Sequence, residues 1–350
     1  MRVTEHIRRL KGYVHGEQPS GRGVVKLNTN ENAYPPSPKC AEALRQFSAA
    51  ALRLYPNAES TPLRKAIAAL HGTSPDNVFV GNGSDEILSL AAKVFVGDDE
   101  AIGSLDPSYS LYKTLADIRN VPWKGFREGS DVGDWKLKGV SLFLWTNPNA
   151  PTGRFVEPWK IAAFAKKFPG VVIVDEAYAD FARGNAMALA TEPKNRNIVV
   201  MRTFSKSYSL AGLRVGYCVG PKDLIAALMK TKDSYNVDGV AQAVALAAVR
   251  DQAWKDANCR KIVLAREQCA DDLRKRGWDV PPSESNFLFA RPPAGTDPAR
   301  LFEKLKERSI FVRYFSGRLT RDRLRISIGT PREMEKFIAA IDAIQKTKGK

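Results

Sequence analysis

The sequence predicts an α/β protein: a large unit on a central, mostly parallel sheet, followed by a small α+β unit at the C-terminus. Three observations predict it. Between residues 75 and 230, short β-branched runs alternate with segments of helical period, the pattern of strand–helix–strand crossovers and therefore of parallel pairing. One of those runs, Val171-Val-Ile-Val-Asp175, ends abruptly in a carboxylate, and ligands sit at the strand ends of parallel sheets. From Pro281 the order changes to strand, helix, strand, strand, helix.

The 350 residues suffice for more than one domain. Residues 1–36 read as an irregular arm, 37–250 as the large unit and 251–350 as the small one, with a long, possibly broken helix over about 240–276 bridging them. Hydrophobic content of 44% and charged content of 26% are ordinary for a globular chain. The formal charge of +16 is not; it reads either as attraction to anions or as a solvated basic surface. Lys and Arg are spread along the chain with no basic arm and no basic–aromatic platform, which argues against a nucleic-acid partner. Cys40, Cys218, Cys259 and Cys269 are widely spaced, which argues against a disulfide framework or zinc site and fits a reducing cytosol. The three histidines, His6, His15 and His71, form no local metal constellation. The first ten residues lack an apolar signal region, and no apolar run approaches the roughly 18 residues of a membrane span. A cytoplasmic, membrane-free protein is expected.

Taken in order, the arm carries four glycines and a tyrosine, Tyr13. A helix follows over 39–52, and another begins after Ser60 as N-cap. Between them Tyr55 precedes a proline and is held extended. Val78-Phe-Val runs as a strand into Gly81-Asn-Gly83-Ser84-Asp85-Glu and then a helix. In that order the glycines let backbone approach an anion, and free N–H groups of the helix start face it. The alternative is an ordinary helix capped by Ser84. No third glycine completes a dinucleotide fingerprint and no Walker lysine is present. After a strand over 100–105, Tyr109 sits at a strand-to-helix turn, where an aromatic can stack on a planar ring; Tyr112 is read as core. A buried strand over 140–145 ends in Asn147-Pro-Asn149-Ala-Pro-Thr-Gly153, whose asparagines are candidate donors to a ring oxygen. A helix over 157–168 leads to Asp175, which can pair with a protonated ring nitrogen, and to Tyr178, three residues on, which can donate to a ring oxygen.

A strand over 197–201 then enters Thr203-Phe-Ser205-Lys206-Ser-Tyr-Ser-Leu-Ala-Gly-Leu-Arg214. A lysine among small hydroxyls and apolar flanks suits Schiff-base chemistry, which needs a partly dry, neutral amine. Thr203, Ser205 and Arg214 supply hydroxyl donors and a planar cation for one phosphate dianion. A strand over 213–219 and a helix over 222–232 follow. The small unit is read as a strand over 286–290, a helix over 298–308, strands over 310–314 and 323–328, and a helix from Pro331. Arg313 and Arg325 sit on strands with apolar neighbours and can face a site; Arg318, Arg321 and Arg323 are read as solvated.

These motifs, with Leu27-Asn-Thr-Asn-Glu-Asn-Ala-Tyr-Pro-Pro-Ser-Pro38, Leu54-Tyr-Pro-Asn57 and Leu324-Arg-Ile-Ser-Ile-Gly-Thr330, resemble the histidinol-phosphate aminotransferase family, in its order and over nearly the whole chain. The resemblance implies the aspartate-aminotransferase-like fold type I and a pyridoxal 5′-phosphate cofactor. It implies a homodimer in which Tyr55 crosses to the neighbouring site and touches the cofactor phosphate. Lys206, Asp175 and Tyr178 are then catalytic; Gly83, Ser84, Asp85, Tyr109, Thr203, Ser205 and Arg214 hold the cofactor. Tyr13, Tyr55, Arg313 and Arg325 meet substrate, although Tyr13 can equally anchor the arm. The superfamily often has asparagine directly before Pro-Thr-Gly, where this chain has Ala150; the role passes to Asn149 or Asn147, with Asn149 favoured. The substrates implied are histidinol phosphate and the glutamate/2-oxoglutarate pair. An aromatic aminotransferase, or a decarboxylase of a phosphorylated amino acid such as threonine phosphate, shares the same motifs.

Overall fold

Among the described residues twelve strands form in chain order, and the polar residues that end the central ones all come to one edge. The structure, a computed structural model, describes residues 2–13, 15–21 and 23–346. The strands are β1 (Val25–Lys26), β2 (Val78–Gly81), β3 (Ala101–Asp106), β4 (Trp123–Arg127), β5 (Val140–Thr146), β6 (Val171–Asp175), β7 (Ile198–Thr203), β8 (Gly216–Val219), β9 (Phe287–Ala290), β10 (Ile310–Phe311), β11 (Arg313–Tyr314) and β12 (Leu324–Ser327). Seven make one sheet in the order β2-β8-β7-β6-β5-β3-β4, in which only β8 runs antiparallel to its neighbours. The carboxyl ends of β2, β3, β5, β6 and β7 and the start of β8 therefore share an edge.

The apolar runs are continuous because both faces are covered. Phe143, Trp145, Val172, Val174, Ile198 and Val200 enter the core on one face. Leu142, Leu144, Ile173, Val199 and Met201 alternate into the core on the other. A third cluster gathers the antiparallel sheet β11-β12-β9, the helices Gln252–Arg274 and Pro331–Lys346, and Val25, Leu27 and Tyr178. The N-terminal segment is tied to it by β1, which pairs in parallel with β10 through Val25↔Ile310 and Lys26↔Phe311.

Several local expectations change. The helix expected over 39–52 stops at Gln46 and resumes as a 3₁₀ turn, Ala49–Arg53. Ser60 is left-handed and makes no capping bond; Asn57 Oδ1 takes the Thr61 N–H instead. The strand expected over 310–314 splits at Val312 into β10 and β11, which belong to different sheets. The bridging helix breaks at Arg250–Asp251 into Gly239–Val249 and Gln252–Arg274. The helix expected after Tyr109 runs Leu111–Arg119, and β4 and the short helix Met187–Thr191 add to the expected elements.

A buried charge cluster lies beneath the edge. Arg202 on β7 pairs with Glu176 at 2.8 Å and with Asp180 at 3.4 Å; Lys255 reaches Asp180 at 3.1 Å. Ser207, beside Lys206, donates to Asp180 at 2.5 Å. Burial pushes the Glu176 carboxyl above its ordinary range despite Arg202. Removing one partner of a buried pair strands the other, at about 3–5 kcal/mol. Arg202→Met is therefore expected to lower unfolding free energy by about that much in urea titrations; an unchanged midpoint would show that the pair contributes nothing.

Candidate active site

The anion cup is built by three strands in register. Thr203 of β7 pairs with Gly216 of β8, and Gly216 pairs with Gly81 of β2. A Cβ on Gly216 would lie 2.6 Å from the Ser84 nitrogen, so only glycine lets β8 pass this close to the start of the helix Ser84–Val94. Gly83, at φ +78°, holds the N-cap position in place of Ser84, and no side chain caps the helix. Its first N–H groups remain for an anion. Arg214 is not on a strand: it is left-handed at φ +55° just before β8. Its guanidinium donates to Ser205 Oγ at 3.3 Å and to Asp85 Oδ2 at 3.4 Å. The Ser205 N–H in turn bonds Thr203 Oγ1 at 3.1 Å.

Lys206 follows directly. Its ammonium donates to the Thr29 carbonyl at 3.1 Å, and no carboxylate pairs with it among the described residues. Burial, with Arg325 and Arg214 adding repulsion against Glu31 and Asp85, lowers its pKa to about 8. Asp175, 5% exposed at the end of β6, accepts from Tyr112 Oη at 2.7 Å and from the Ala177 N–H at 3.1 Å. Burial outweighs both bonds and pushes its carboxyl up to about 6. Tyr112, read as core, is buried, but its hydroxyl also lies 2.6 Å from Thr146 Oγ1, so it is a polar partner of Asp175. Its position three residues after Tyr109, whose ring it meets edge-on at 5.6 Å, was the available signal. Tyr109 donates to Asp85 Oδ1 at 3.4 Å and meets Tyr13 edge-on at 5.9 Å, which brings the arm to the site.

Tyr178 is buried and its hydroxyl accepts from Asn30 Nδ2 at 3.0 Å. The amides of the loop asparagines, expected to face a ring oxygen, have protein partners here. Asn149 Nδ2 donates to Pro107 O, Glu128 Oε1 and Thr152 Oγ1. Asn147 closes a two-bond pair with the Val156 backbone.

Arg313 and Arg325 are direct cross-strand partners of β11 and β12, two like charges side by side. Arg325 donates to the Asn28 carbonyl at 2.7 Å, has no carboxylate partner among the described residues, and leaves a buried Nε unbonded. Arg313 donates to His15 O at 3.2 Å. Arg323, read as solvated, instead pairs with Asp279 at 2.8 Å. Tyr55 stands apart: it is 80% exposed and stacks on Tyr235, beside exposed Leu52 and Leu54. The roles of segment 28–32 escaped sequence reasoning. Beyond Asn28 and Thr29, Asn32 Nδ2 donates to the carbonyls of Lys206 at 3.0 Å and Ser207 at 3.2 Å. No metal-competent cluster exists among the described residues.

An amine with a pKa of about 8 passes from about a tenth neutral at pH 7 to about nine-tenths neutral at pH 9. Reductive alkylation of Lys206 by a small aldehyde and borohydride, read by peptide mass spectrometry, is expected to rise about tenfold across that window. Labelling that rises only near pH 10.5 would mean that the amine is solvated.

The aminotransferase class I and II family model matches residues 22–341. The chain is 44% identical to the histidinol-phosphate aminotransferase of Syntrophotalea carbinolica over 97% of its length and 98% of that protein's. It is 42% identical to the protein of that name from Geotalea daltonii, over 97% and 99%. A crystal structure of histidinol-phosphate aminotransferase from Sinorhizobium meliloti in complex with pyridoxal-5′-phosphate superposes with a TM-score of 0.88 at 25% identity, covering 99% of this chain and 98% of that one. No described helix is long and apolar enough to cross a membrane. With this sheet, this lysine and these relatives, the chain belongs to the class I and II aminotransferases, in their histidinol-phosphate aminotransferase branch.

Proposed function

We propose that this chain is a pyridoxal-phosphate-dependent transaminase moving the amino group of histidinol phosphate to 2-oxoglutarate, a step of histidine biosynthesis. The observation that carries the reading is the half-buried Lys206 amine, without a carboxylate partner among the described residues, between an anion cup and a buried aspartate. The donor set fits the cofactor: a guanidinium, two hydroxyls and free helix N–H groups for its phosphate, a carboxylate for its ring nitrogen, and a phenol for its ring oxygen. When bound, pyridoxal phosphate supplies an aldehyde that condenses with amines and a ring that takes up an electron pair.

The chain supplies the rest. Lys206 Nζ, neutral above about pH 8, takes a proton from the substrate carbon and returns it during transfer. Asp175 holds the proton on the ring nitrogen. A cation there opposes the burial that raises Asp175 and keeps it charged. Tyr178 donates to the ring oxygen, and Tyr109 packs against the ring. Arg214, Ser205, Thr203 and the turn Gly83–Asp85 bind the phosphate. Arg313 and Arg325 take the carboxylate of glutamate or 2-oxoglutarate and, alternately, the phosphate of histidinol phosphate, since guanidinium forks suit both. Tyr13 closes the substrate side. Asn149 supports the site through its loop. The working form in this reading is a cytoplasmic homodimer in which exposed Tyr55 enters the neighbouring site. The large and small units divide near the helix break at Arg250–Asp251.

The test is glutamate formation from histidinol phosphate and 2-oxoglutarate in a coupled assay, with phenylalanine and tyrosine as competing donors. Histidinol phosphate is expected to be the preferred donor; faster turnover of phenylalanine, or none of histidinol phosphate, overturns the substrate assignment. Lys206→Ala is expected to fold and to lose all transamination. Mixing unfolded Lys206→Ala and Tyr55→Ala chains and refolding them together is expected to restore about a quarter of wild-type activity, because half the dimers are mixed and each carries one intact site. Activity no higher than the sum of the parents would place Tyr55 outside the neighbour's site.

A further inference from the structure

We propose that Asn30 and Ser327 form a one-way hydrogen-bond relay that fixes the Tyr178 hydroxyl as a donor into the active site. The inference rests on the function proposed above and deepens it. Asn30 is 1% exposed and left-handed at φ +55°, a conformation asparagine tolerates. All its polar groups are engaged. Its backbone N–H donates to Ser327 Oγ at 2.9 Å, and Ser327 Oγ–H donates to Asn30 Oδ1 at 2.8 Å. Its carbonyl accepts from Asn286 Nδ2 at 3.0 Å, and its Nδ2 donates to Tyr178 Oη at 3.0 Å.

The direction follows from donor arithmetic. Ser327 Oγ accepts from a backbone N–H, which can only donate, so its single hydrogen must go elsewhere; the acceptor it finds is Asn30 Oδ1. Turning the amide over would set two donors on Ser327 Oγ and strand that hydrogen in a residue 2% exposed. Nδ2 therefore faces Tyr178 and occupies a lone pair of its oxygen. The phenolic hydrogen is left to point away from Asn30. The amide hydrogens of Asn147 and Asn149 are taken by protein acceptors, which leaves this hydrogen free to serve a ring oxygen. Ser327 lies two residues from Arg325 on β12, on the same face, so the strand that carries the anion-binding arginine also sets the polarity of Tyr178.

Asn30→Asp tests the relay because it keeps the shape and replaces the donor by an acceptor. The new carboxylate draws the Tyr178 hydrogen back out of the site. A ring oxygen without that donor keeps more negative charge and holds a proton on Lys206 nitrogen more strongly. In protein loaded with pyridoxal phosphate, the pH midpoint of the visible absorbance change is expected to rise by about one unit or more. Tyr178→Phe is expected to raise it similarly, and Asn30→Asp to add nothing in the Tyr178→Phe background. Ser327→Ala, a gentler change, is expected to shift the midpoint the same way by less. An unchanged midpoint in Asn30→Asp or, should that variant not fold, in Ser327→Ala overturns the relay. So do Asn30 and Tyr178 shifts that add. Wild-type protein with no Lys206-dependent chromophore overturns the functional reading, and the relay with it.

Discussion

The constraint on which this molecule turns is an amine held in a dry place without a counter-charge. Lys206 has a carbonyl for its partner where most buried lysines have a carboxylate, and burial is the largest contribution to its lowered pKa. A carboxylate bonded to it would hold the proton on and remove the nucleophile. The surrounding charges keep this balance. Arg325 and Arg214 push against the ammonium, whereas Glu31 and Asp85 pull at it without contact. Glu31 is itself occupied: hydrogen bonds from Lys26 and Thr29 outweigh its burial and hold it below the ordinary range. The acidic cluster beneath is likewise directed at Arg202 and Lys255.

Segment 28–32 makes that arrangement possible. It crosses between the large sheet and the small one, and nearly every polar group on it is assigned. Asn28 serves Arg325, Thr29 serves Lys206, Asn30 serves Tyr178 and Ser327, and Asn32 serves the backbone of residues 206 and 207. An isolated extended stretch cannot satisfy its own backbone groups, so its bonds must go to both neighbours.

The large sheet was legible because its strands are covered on both faces and so read as unbroken β-branched runs. The reading failed where that signal is absent. β4, Trp123–Arg127, is an edge strand with one buried residue and carries charge like a surface loop. β10 and β11 look like one strand because periodicity says nothing about a change of partner at Val312. The site motifs were legible as residue types in order, and the edge gathers the carboxyl-end loops. Side-chain direction was not legible: Asn147 closes on the Val156 backbone, Asn149 turns its amide to Pro107 and Glu128, and Tyr112 points a hydroxyl at Asp175 from within the core. Two of those choices depend on neighbours distant in sequence, Glu128 for Asn149 and Asp175 for Tyr112.

The pairing of β1 with β10 has a consequence for synthesis. Val25 finds its partner only at Ile310, and Asn30 finds its partners at Asn286 and Ser327. A ribosome adding residues one at a time has made Lys206, Asp175 and the anion cup long before those partners emerge. Through that interval the segment carrying the Thr29 carbonyl has only Asn30 to Tyr178 and Asn32 to the carbonyls of residues 206 and 207 to hold it by the amine, and Arg325, whose charge opposes the ammonium, does not yet exist. The second half of the anchoring, and the repulsion that Arg325 adds, come only with residues 286 to 327.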